Sequence, residues 1–287
     1  MKPSAFEYVR PNSLIEAAAM LEEAGDGAQI LAGGQSLVPT LSLRLSSPTL
    51  LIDINRVADS APLEHCDGVV RCGARIRHVE LERSTMVRQH APLLALAMPH
   101  VAHPAIRNRG TPCGSIALAD PAAEIPACAL ALNADIVLQN SGGRRTVPAE
   151  KYFIGLYETA RLSTEVVVEL RFPAARSSDR FGFAELSRRR GDFAIVGIAA
   201  AAQLEDNGIR SLRLVIFGCE PIPRVSAAAH AMVQGRAIGE LPIEEIADAV
   251  GAELDPMENA QGDAAAKRQQ AYAMAKRVMA QLNEREV

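Results

Sequence analysis

The sequence predicts an α+β protein with a larger N-terminal part and a smaller C-terminal part. Short apolar stretches bounded by glycine or proline, which are typical of strands, are interspersed with segments whose apolar residues recur at helical spacing. The 287 residues are also enough for two compact domains. Ser177-Ser178 marks a polar boundary, so the expected domains are residues 1–177, with subdomains of about 1–57 and 58–177, and residues 178–287.

The first segment predicts a strand, a helix and two further strands. Residues 6–9 form a short extended stretch that a proline ends. Ser13 followed by Glu16 fits a capping box at the start of a helix. A second strand, predicted to be buried, runs into Gly33-Gly34, and a third is predicted at residues 50–54.

The Gly33-Gly34 pair is the first stretch with a chemical signal. Both glycines can adopt positive φ, and neither places a side chain between the backbone and an approaching ligand. Successive N–H groups in such a turn can form a concave site for an anion, typically phosphate, and Ser36 can add a hydroxyl donor. The alternative is a tight strand-to-helix connection with no ligand, because Gly-Gly turns are common.

The second informative stretch follows a predicted strand at residues 69–74 and a predicted amphipathic helix at residues 78–89. It again combines small residues with hydroxyls: Thr111, Gly114 and Ser115. Asp120 and Glu124 come next, four residues apart, which would place both carboxylates on one side of a helix. A carboxylate there can accept a charge-assisted hydrogen bond from a ribose or an adenine amine. Alone, the segment is as easily a loop–helix junction with solvated acids.

Together the two stretches resemble the FAD-binding medium subunit of the molybdenum hydroxylases, the family of carbon monoxide dehydrogenase medium subunits and of the xanthine dehydrogenase flavin domain. The resemblance rests on residues 32–36 and on residues 106–124, and it extends over nearly the whole chain. It implies a two-part FAD-binding domain of the PCMH, vanillyl-alcohol-oxidase-like type. A small C-terminal α+β domain with a three-stranded antiparallel sheet and helices would follow.

The resemblance also implies which residues contact FAD. The first glycine stretch would hold the pyrophosphate, the second would form a further wall of the site, and an aliphatic and an aromatic side chain would lie near the isoalloxazine. No catalytic side chain and no metal ligand is expected in this chain. The expected cofactor-binding residues are Leu31, Ala32, Gly33, Gly34, Gln35, Ser36, Leu37, Val101, Ala102, Thr111, Gly114, Ser115, Asp120, Glu124, Val167 and Phe193.

Three positions depart from the family pattern. Cys113 stands where relatives commonly have glycine, and its thiol is expected to narrow the approach to the backbone. Leu118 replaces a residue that is polar in many relatives. Some members carry a lysine facing the flavin near Ala184-Glu185, and this chain has none there.

The C-terminal part predicts three strands and two helices. The strands are expected at residues 181–186, 195–204 and 209–219, with an Asn207-Gly208 hairpin turn between the last two. The two helices, which begin near Ile243 and before Tyr272, show apolar residues at helical spacing.

Composition excludes several other classes of function. A net charge of −4 gives no general attraction to nucleic acid or to an anionic membrane, and only 4% of the residues are aromatic. The N-terminus lacks the apolar core of a signal peptide, and the longest uncharged apolar run is about half of a membrane span. Five scattered cysteines without a Cys-x-x-Cys pair argue against disulfides and iron–sulfur ligation. We expect a cytoplasmic protein.

The implied function is that of an FAD-carrying electron-transfer subunit. It would take electrons from 2Fe-2S clusters of a small partner subunit and reduce an external acceptor, while a large molybdopterin subunit oxidises an aromatic N-heterocycle, an aldehyde, a purine or CO. A dimer of such heterotrimers is expected, with Arg188 to Arg190 and Phe193 on the docking face. The alternative is a non-catalytic FAD-binding or scaffold protein with a degenerate flavin site.

Overall fold

Three β-sheets, formed one after another along the chain, organise the computed structural model, which describes residues 2–205 and 208–284. The first sheet is parallel, with strand order β1–β3–β2. Its elements are β1 (Glu7–Val9), α1 (Leu14–Ala24), β2 (Ala28–Leu31), α2 (Leu37–Ser42) and β3 (Leu50–Asp53).

Helix α1 begins where the sequence predicts it. The Ser13 hydroxyl accepts a hydrogen bond from the N–H of Glu16 at 3.2 Å, and the helix ends at Gly25, whose φ is +58°. Strand β2 differs from the buried strand predicted for it. Of its residues only Ala28 is buried, and Ala28, Gln29 and Ile30 all line the cleft described below.

The second sheet is antiparallel and has five strands in the order β4–β5–β10–β6–β7. Most helices of the N-terminal part lie between its strands in sequence. The elements are β4 (Glu64–Cys66), β5 (Val69–Gly73), α3 (His78–Arg83), α4 (Thr85–His90), α5 (Pro92–Ala97), α6 (Pro104–Arg107), α7 (Pro112–Leu118), α8 (Glu124–Ala131), β6 (Asp135–Asn140), β7 (Gly143–Pro148), β8 (Phe153–Gly155), β9 (Glu158–Thr159) and β10 (Val166–Pro173); β8 and β9 pair only with each other.

The single helix predicted over residues 78–89 is wrong, because Ser84 divides it into α3 and α4. Ser84 has an extended backbone, with φ −72° and ψ 120°, and its hydroxyl accepts a hydrogen bond from the N–H of Val87. A serine whose side chain caps a following turn competes with continued helix formation. Because the amphipathic pattern continues through Ser84, the sequence gives no sign of this break.

The third sheet is antiparallel with strand order β11–β12–β13–β14. The predicted three-stranded sheet therefore has a fourth strand at its edge, whose two residues are too few to give a periodic signal. The elements of this part are β11 (Arg180–Leu186), β12 (Val196–Glu205), β13 (Gly208–Phe217), β14 (Arg224–Val225), α9 (Ala227–Val233), α10 (Ile243–Ala252) and α11 (Ala264–Asn283).

Strands β12 and β13 form the predicted hairpin, since Glu205 pairs with Gly208. The conformation of the predicted turn lies outside the described residues, because it falls on positions 206 and 207. Helix α9 is an element that the sequence analysis missed. Its N-cap is Ser226, whose hydroxyl accepts from the N–H of Ala229.

The second and third sheets share one hydrophobic core. Side chains from α5, α7, α8 and β10 enclose it from one side, and Phe183, Val215 and Phe217 of the third sheet enclose it from the other. Burial of each large apolar side chain contributes about 1.5–3 kcal/mol to folding. The opposite face of the third sheet packs against α10 and α11 in a separate core.

The contact between Gly197 and Phe217 in this shared core gives a stability prediction. A Cβ atom on Gly197 would lie 2.1 Å from Cζ of Phe217, so we expect Gly197→Ala to displace the ring and to destabilise the protein by about 1–3 kcal/mol. Urea unfolding measures the effect. Gly239→Ala is the matched control, because no atom lies within 4 Å of the added methyl group. Equal unfolding midpoints for the two variants would contradict the packing.

Candidate functional site

A cleft of about 1050 Å³ lies where the loops of the three sheets meet. Its size is at the upper end of the roughly 300–1,000 Å³ range of small-molecule sites. The structure brings together all but one of the sequence-predicted cofactor residues. The cleft is lined by Ala32, Gly33, Gly34, Gln35, Ser36, Leu37, Val101, Ala102, Thr111, Gly114, Ser115, Asp120, Glu124, Val167 and Phe193. The exception, Leu31, lies beneath the first glycine turn, its Cδ1 at 3.1 Å from where Gly34 would carry a Cβ.

The first glycine loop, residues 32–36, leaves a row of backbone donors available. Within residues 2–205 and 208–284, the N–H groups of residues 33–36 donate to no protein acceptor. Gly34 has φ +71°, which turns the chain from β2 toward α2. The Gln35 side chain donates from Nε2 to the Gly33 carbonyl at 3.0 Å, so it holds the turn in place. Ser36 is exposed, and its hydroxyl does not cap α2.

The second glycine loop, residues 109–115, is organised by Thr111. This buried threonine caps α7, since its Oγ1 accepts a hydrogen bond from the N–H of Gly114 at 3.0 Å. Cys113 also lines the cleft, but its thiol is buried and donates to the Cys72 carbonyl oxygen at 3.7 Å. Leu118 lies on the cleft wall and is partly exposed.

The two glycine loops touch each other, backbone against backbone. A Cβ on Gly33 would lie 2.4 Å from the carbonyl oxygen of Arg109, so this position excludes any side chain. Two polar side chains clamp the contact. The Arg77 guanidinium donates to both the Arg109 carbonyl and the Asn55 side chain, and Asn55 donates from Nδ2 to the Ala32 carbonyl at 2.8 Å.

Arg107 supports the part of the cleft wall formed by Val101 and Ala102. Its buried guanidinium donates to both carboxylate oxygens of Glu82, at 2.9 and 3.0 Å. The remaining terminal nitrogen donates to the carbonyls of Val101 and Ala102, both at 2.9 Å. Ala102 has φ +44°, a left-handed conformation that is costly for alanine, and these hydrogen bonds hold it there. Arg107 falls within the second motif, residues 106–124, but the sequence alone assigns it no role.

His78 lines the cleft but is not among the sequence-predicted site residues. It is 5% exposed, and its Nδ1 has no hydrogen-bond partner among the described residues. Burial, followed by the nearby charges of Arg107 and Arg77, lowers the pKa of His78 to about 4. The imidazole is therefore neutral at pH 7, and its edge that carries Cδ2 and Nε2 packs against Gly110 of the second glycine loop. The sequence offers one clue to this role, namely that His78 is the first residue of α3.

The two acids of the second stretch both line the cleft, but not for the reason predicted. Asp120 lies in the turn between α7 and α8, and Glu124 is the first residue of α8, so they do not share a helix. Asp120 accepts from the N–H of Ala122 at 2.9 Å and from the Tyr157 hydroxyl at 3.1 Å. Burial and this carboxylate raise the pKa of Tyr157 to about 12.

Glu124 is buried and makes no ion pair within the described residues. Burial raises the pKa of Glu124 to about 7; the neighbouring Asp120 adds to the increase, while a hydrogen bond to its own backbone N–H and the charge of Arg107 oppose it. A carboxyl group in this state can hold or release a proton near neutral pH.

The C-terminal part closes one side of the cleft. The loop before β12 contributes Arg188, Gly191 and Phe193, and the side chain of Phe193 is 62% exposed at the mouth. Gly191 packs against the Ala102 carbonyl, and Arg188 donates to the Ala260 carbonyl at 2.5 Å.

Comparison with known proteins identifies the family. Residues 4–175 match the family model described as "FAD binding domain in molybdopterin dehydrogenase", and residues 181–282 match "CO dehydrogenase flavoprotein C-terminal domain". The chain belongs to the FAD-binding medium subunits of the molybdenum hydroxylases. It is an oxidoreductase subunit whose cofactor is FAD and whose role is electron transfer, as the resemblance implied.

Two relatives of this medium subunit match it over almost their whole length. The carbon monoxide dehydrogenase medium chain of Hydrogenophaga pseudoflava is 36% identical, covering 97% of each chain. The 6-hydroxypseudooxynicotine dehydrogenase complex subunit alpha of Paenarthrobacter nicotinovorans is 37% identical over 98% of this chain and 95% of its own.

Solved structures of the family have the same fold. The carbon monoxide dehydrogenase structure from H. pseudoflava that lacks the Mo-pyranopterin moiety superposes with a TM-score of 0.94 at 37% identity, covering 98% of both chains. Quinoline 2-oxidoreductase from Pseudomonas putida 86 superposes with a TM-score of 0.92 at 31% identity, over 99% of this chain and 98% of that one. The medium-subunit fold is therefore confirmed.

Across the residues that the structure describes, no group of three or more His, Cys, Asp or Glu side chains is arranged to hold a metal ion. None of the helices in that same part of the chain has both the length and the apolar character that crossing a membrane requires.

The ion pair of Arg107 gives a prediction about the cleft wall. Arg107→Gln leaves Glu82 and two backbone carbonyls without their donor, and we expect a loss of about 3–5 kcal/mol in the free energy of unfolding, measured with urea. Arg210→Gln is the control, because that arginine and its partner Glu205 are about 60% exposed and such a pair contributes roughly 0–1 kcal/mol. Similar losses in both variants would contradict the supporting role of Arg107.

Proposed function

We propose that FAD lies in the cleft with its pyrophosphate on the first glycine loop. The observation that carries this is the row of N–H groups of residues 33–36 that donate to no protein acceptor in the described chain. A set of backbone donors around a positive-φ glycine is a typical phosphate site. The cleft of about 1050 Å³ is large enough for a dinucleotide cofactor.

The other lining residues complete the proposed site. Gly114 and Ser115 would form the second wall with Thr111, and the loop held by Arg107 would lie along the cofactor. Asp120 and Glu124 supply acceptors for hydroxyl or amine donors. Val167 offers an aliphatic contact and Phe193 an aromatic one at the mouth, which suits the isoalloxazine.

The task of this chain in the proposed function is to bind and orient its cofactor. When bound, FAD supplies the ability to accept electrons singly and to release them in pairs. The protein residues hold it by backbone contacts, exclude water with the buried walls, and leave one edge open at Phe193.

The enzyme has several subunits, since relatives are named as chains of dehydrogenase complexes. We propose as partners a small subunit with 2Fe-2S clusters and a large molybdopterin subunit, arranged as a dimer of heterotrimers. The proposed docking face contains Arg188 to Arg190 and Phe193, which are exposed beside the cleft mouth. The electrons would pass from the clusters through FAD to an external acceptor.

The substrate class and the compartment are further parts of the proposal. Relatives are named for carbon monoxide, caffeine, nicotine and glyceraldehyde, so we propose an aromatic N-heterocycle, an aldehyde, a purine or CO as the substrate of the complex. All five cysteines are free, which suits the reducing cytoplasm. We also propose domains of residues 1–177 and 178–287, because the segment between β10 and β11 has no regular secondary structure.

The flavin site is tested with two valine substitutions at glycines of nearly equal φ. Gly34 and Gly68 have φ values of +71° and +73°, so valine at either one carries a similar backbone strain of about 1–2 kcal/mol. A Cβ at Gly34 would also lie 3.1 Å from Leu31 Cδ1 and 3.2 Å from Val38 Cγ2, whereas no atom lies within 4 Å of one at Gly68. We expect the affinity for FAD to fall at least tenfold in Gly34→Val. The affinity should be unchanged in Gly68→Val, because that residue lies outside the cleft. Flavin absorbance and calorimetric titration measure binding, and circular dichroism checks folding. Full FAD occupancy in folded Gly34→Val would refute the assignment.

The proposed assembly is tested by purification from cells that express the complete complex. We expect iron and molybdenum to elute with this chain in size-exclusion chromatography, carried by the proposed partner subunits. The described residues of this chain offer no cluster of metal ligands. The isolated chain should hold FAD without either metal. Substrate oxidation at the full rate by the isolated flavoprotein, with no iron or molybdenum present, would overturn the proposal.

A further inference from the structure

A turn between α10 and α11 reaches the flavin cleft from the C-terminal part. Its residue Gln261 lines the cleft together with Arg188, Gly191 and Phe193, and it is not among the sequence-predicted site residues. The backbone N–H of Gln261 donates to Oδ1 of Asn259 at 3.0 Å, while its side-chain amide makes no hydrogen bond within the described residues. The amide therefore keeps its two donors and its acceptor oxygen for a ligand.

The turn itself, residues 259–262 (the Gln261 turn), is tightly closed. Its first and last residues pair through two backbone hydrogen bonds, with N–O distances of 3.1 and 3.2 Å. Ala260 and Gln261 form the tip. The Arg188 guanidinium donates to the Ala260 carbonyl at 2.5 Å, so the tip is fastened to the loop that carries Phe193.

A buried lysine holds the Gln261 turn from behind. Lys267, near the start of α11, is fully buried, and a buried ammonium is costly unless hydrogen bonds compensate. Its Nζ donates to the Met257 carbonyl and, at 3.1 Å, to Oδ1 of Asn259. The same Oδ1 accepts the N–H of Gln261, so the Asn259 side chain joins the lysine directly to the tip.

The segment before the turn is anchored to the third sheet. The N–H of Met257 donates to the Cys219 carbonyl at 2.8 Å, and the N–H of Asp255 donates to the Glu220 carboxylate at 2.6 Å. Cys219 and Glu220 follow the end of β13. The Gln261 turn is thus supported by the sheet, by α11 and by the loop before β12, and residues held in this way can position a ligand precisely.

The contacts of the turn assign Gln261 to the isoalloxazine end of the cleft. Arg188, which donates to the turn, and Phe193, which the proposed function places beside the isoalloxazine, lie in one loop of the C-terminal part. The proposed pyrophosphate site, residues 32–36, belongs instead to the loop between β2 and α2 of the first sheet. The isoalloxazine carries ring carbonyl oxygens, and a glutamine amide is a neutral donor that suits them.

We propose that the Gln261 side chain donates a hydrogen bond to a carbonyl oxygen of the isoalloxazine, and that Lys267 is the positioning residue that holds Gln261 in place. This inference rests on the proposed function. Because the Gln261 turn is already ordered by its own hydrogen bonds, little conformational entropy is lost when the cofactor binds. Gln261 then contributes to the binding of the flavin ring and not to the binding of the adenine and pyrophosphate.

The first test compares FAD with ADP, which has the adenine and pyrophosphate of the cofactor but no isoalloxazine. In calorimetric titrations of the chain freed of FAD, we expect Gln261→Ala to weaken FAD binding about fivefold, the effect of losing one hydrogen bond, and to leave ADP binding unchanged. Gln234→Ala is the matched control, because Gln234 is an exposed glutamine outside the cleft. An equal loss for both ligands, or no loss for either, would overturn the assignment of Gln261.

The second test observes the contact itself. Raman spectra of bound FAD contain the carbonyl stretching bands of the isoalloxazine, whose frequency rises when a hydrogen-bond donor is removed. We expect such a rise in Gln261→Ala and none in Gln234→Ala. Carbonyl bands at the wild-type frequency in Gln261→Ala would overturn the proposed hydrogen bond.

The positioning role is tested with Lys267→Met, which keeps an unbranched apolar side chain but removes the ammonium. We expect FAD binding to weaken about fivefold, with ADP binding unchanged, and to weaken no further when Gln261→Ala is added, because both changes remove the same hydrogen bond. Losses that add, or an equal loss for ADP, would reduce Lys267 to a general support of the fold. Asn259→Ala replaces Lys267→Met if that variant does not fold, since Oδ1 of Asn259 joins the lysine to Gln261.

The outcomes separate this inference from the function on which it rests. Wild-type protein that binds neither FAD nor ADP would contradict the proposed flavin site and this inference with it. Wild-type protein that binds both, together with unchanged FAD affinity and unchanged carbonyl bands in Gln261→Ala, would contradict this inference alone.

Discussion

The close contact between the backbones of Gly33 and Arg109 is the constraint on which the cleft depends. It joins a loop of the parallel sheet to a loop of the five-stranded sheet with no room for a Cβ atom. Arg77 and Asn55 hold the two loops in this position with hydrogen bonds to carbonyls on both sides. The backbone carbonyls of Ala32 and Arg109 thus accept hydrogen bonds from within the protein, while backbone N–H groups of the first loop stay available for a ligand. A loop that presents N–H groups and not carbonyl oxygens to the cleft favours an anionic ligand.

The walls of the cleft show how much internal structure supports a few exposed contacts. Arg107 makes four hydrogen bonds, none of them to the cleft, and so keeps Ala102 in a left-handed conformation. Gln35 and Thr111 likewise use their side chains on neighbouring backbone. Supporting residues of this kind fix a binding site because their own conformations are locked by hydrogen bonds and packing. Many polar side chains of the two motifs therefore fix the conformation of the loops by hydrogen bonds to their backbone.

Local patterns in the sequence predicted the elements whose causes are local. The cap at Ser13 and the hairpin pairing of β12 with β13 needed only neighbouring residues. The family motifs also brought the two glycine loops to one site. Features set by distant contacts were missed: the roles of Arg107 and His78, and the short edge strand β14. The spacing of Asp120 and Glu124 was interpreted as two positions on one helix. Both acids line the cleft, but Asp120 lies in the turn before α8 and only Glu124 belongs to that helix.

The shared core has a consequence for how the protein folds and how it can be divided. Phe183, Val215 and Phe217 of the third sheet complete a core whose other side chains come from the N-terminal part. A fragment that ended near residue 177 would expose that apolar surface to water and would tend to aggregate. The two parts should consequently melt in a single cooperative transition. For the same reason, a chimera with another medium subunit should fold only when the residues on both sides of the shared core come from the same parent.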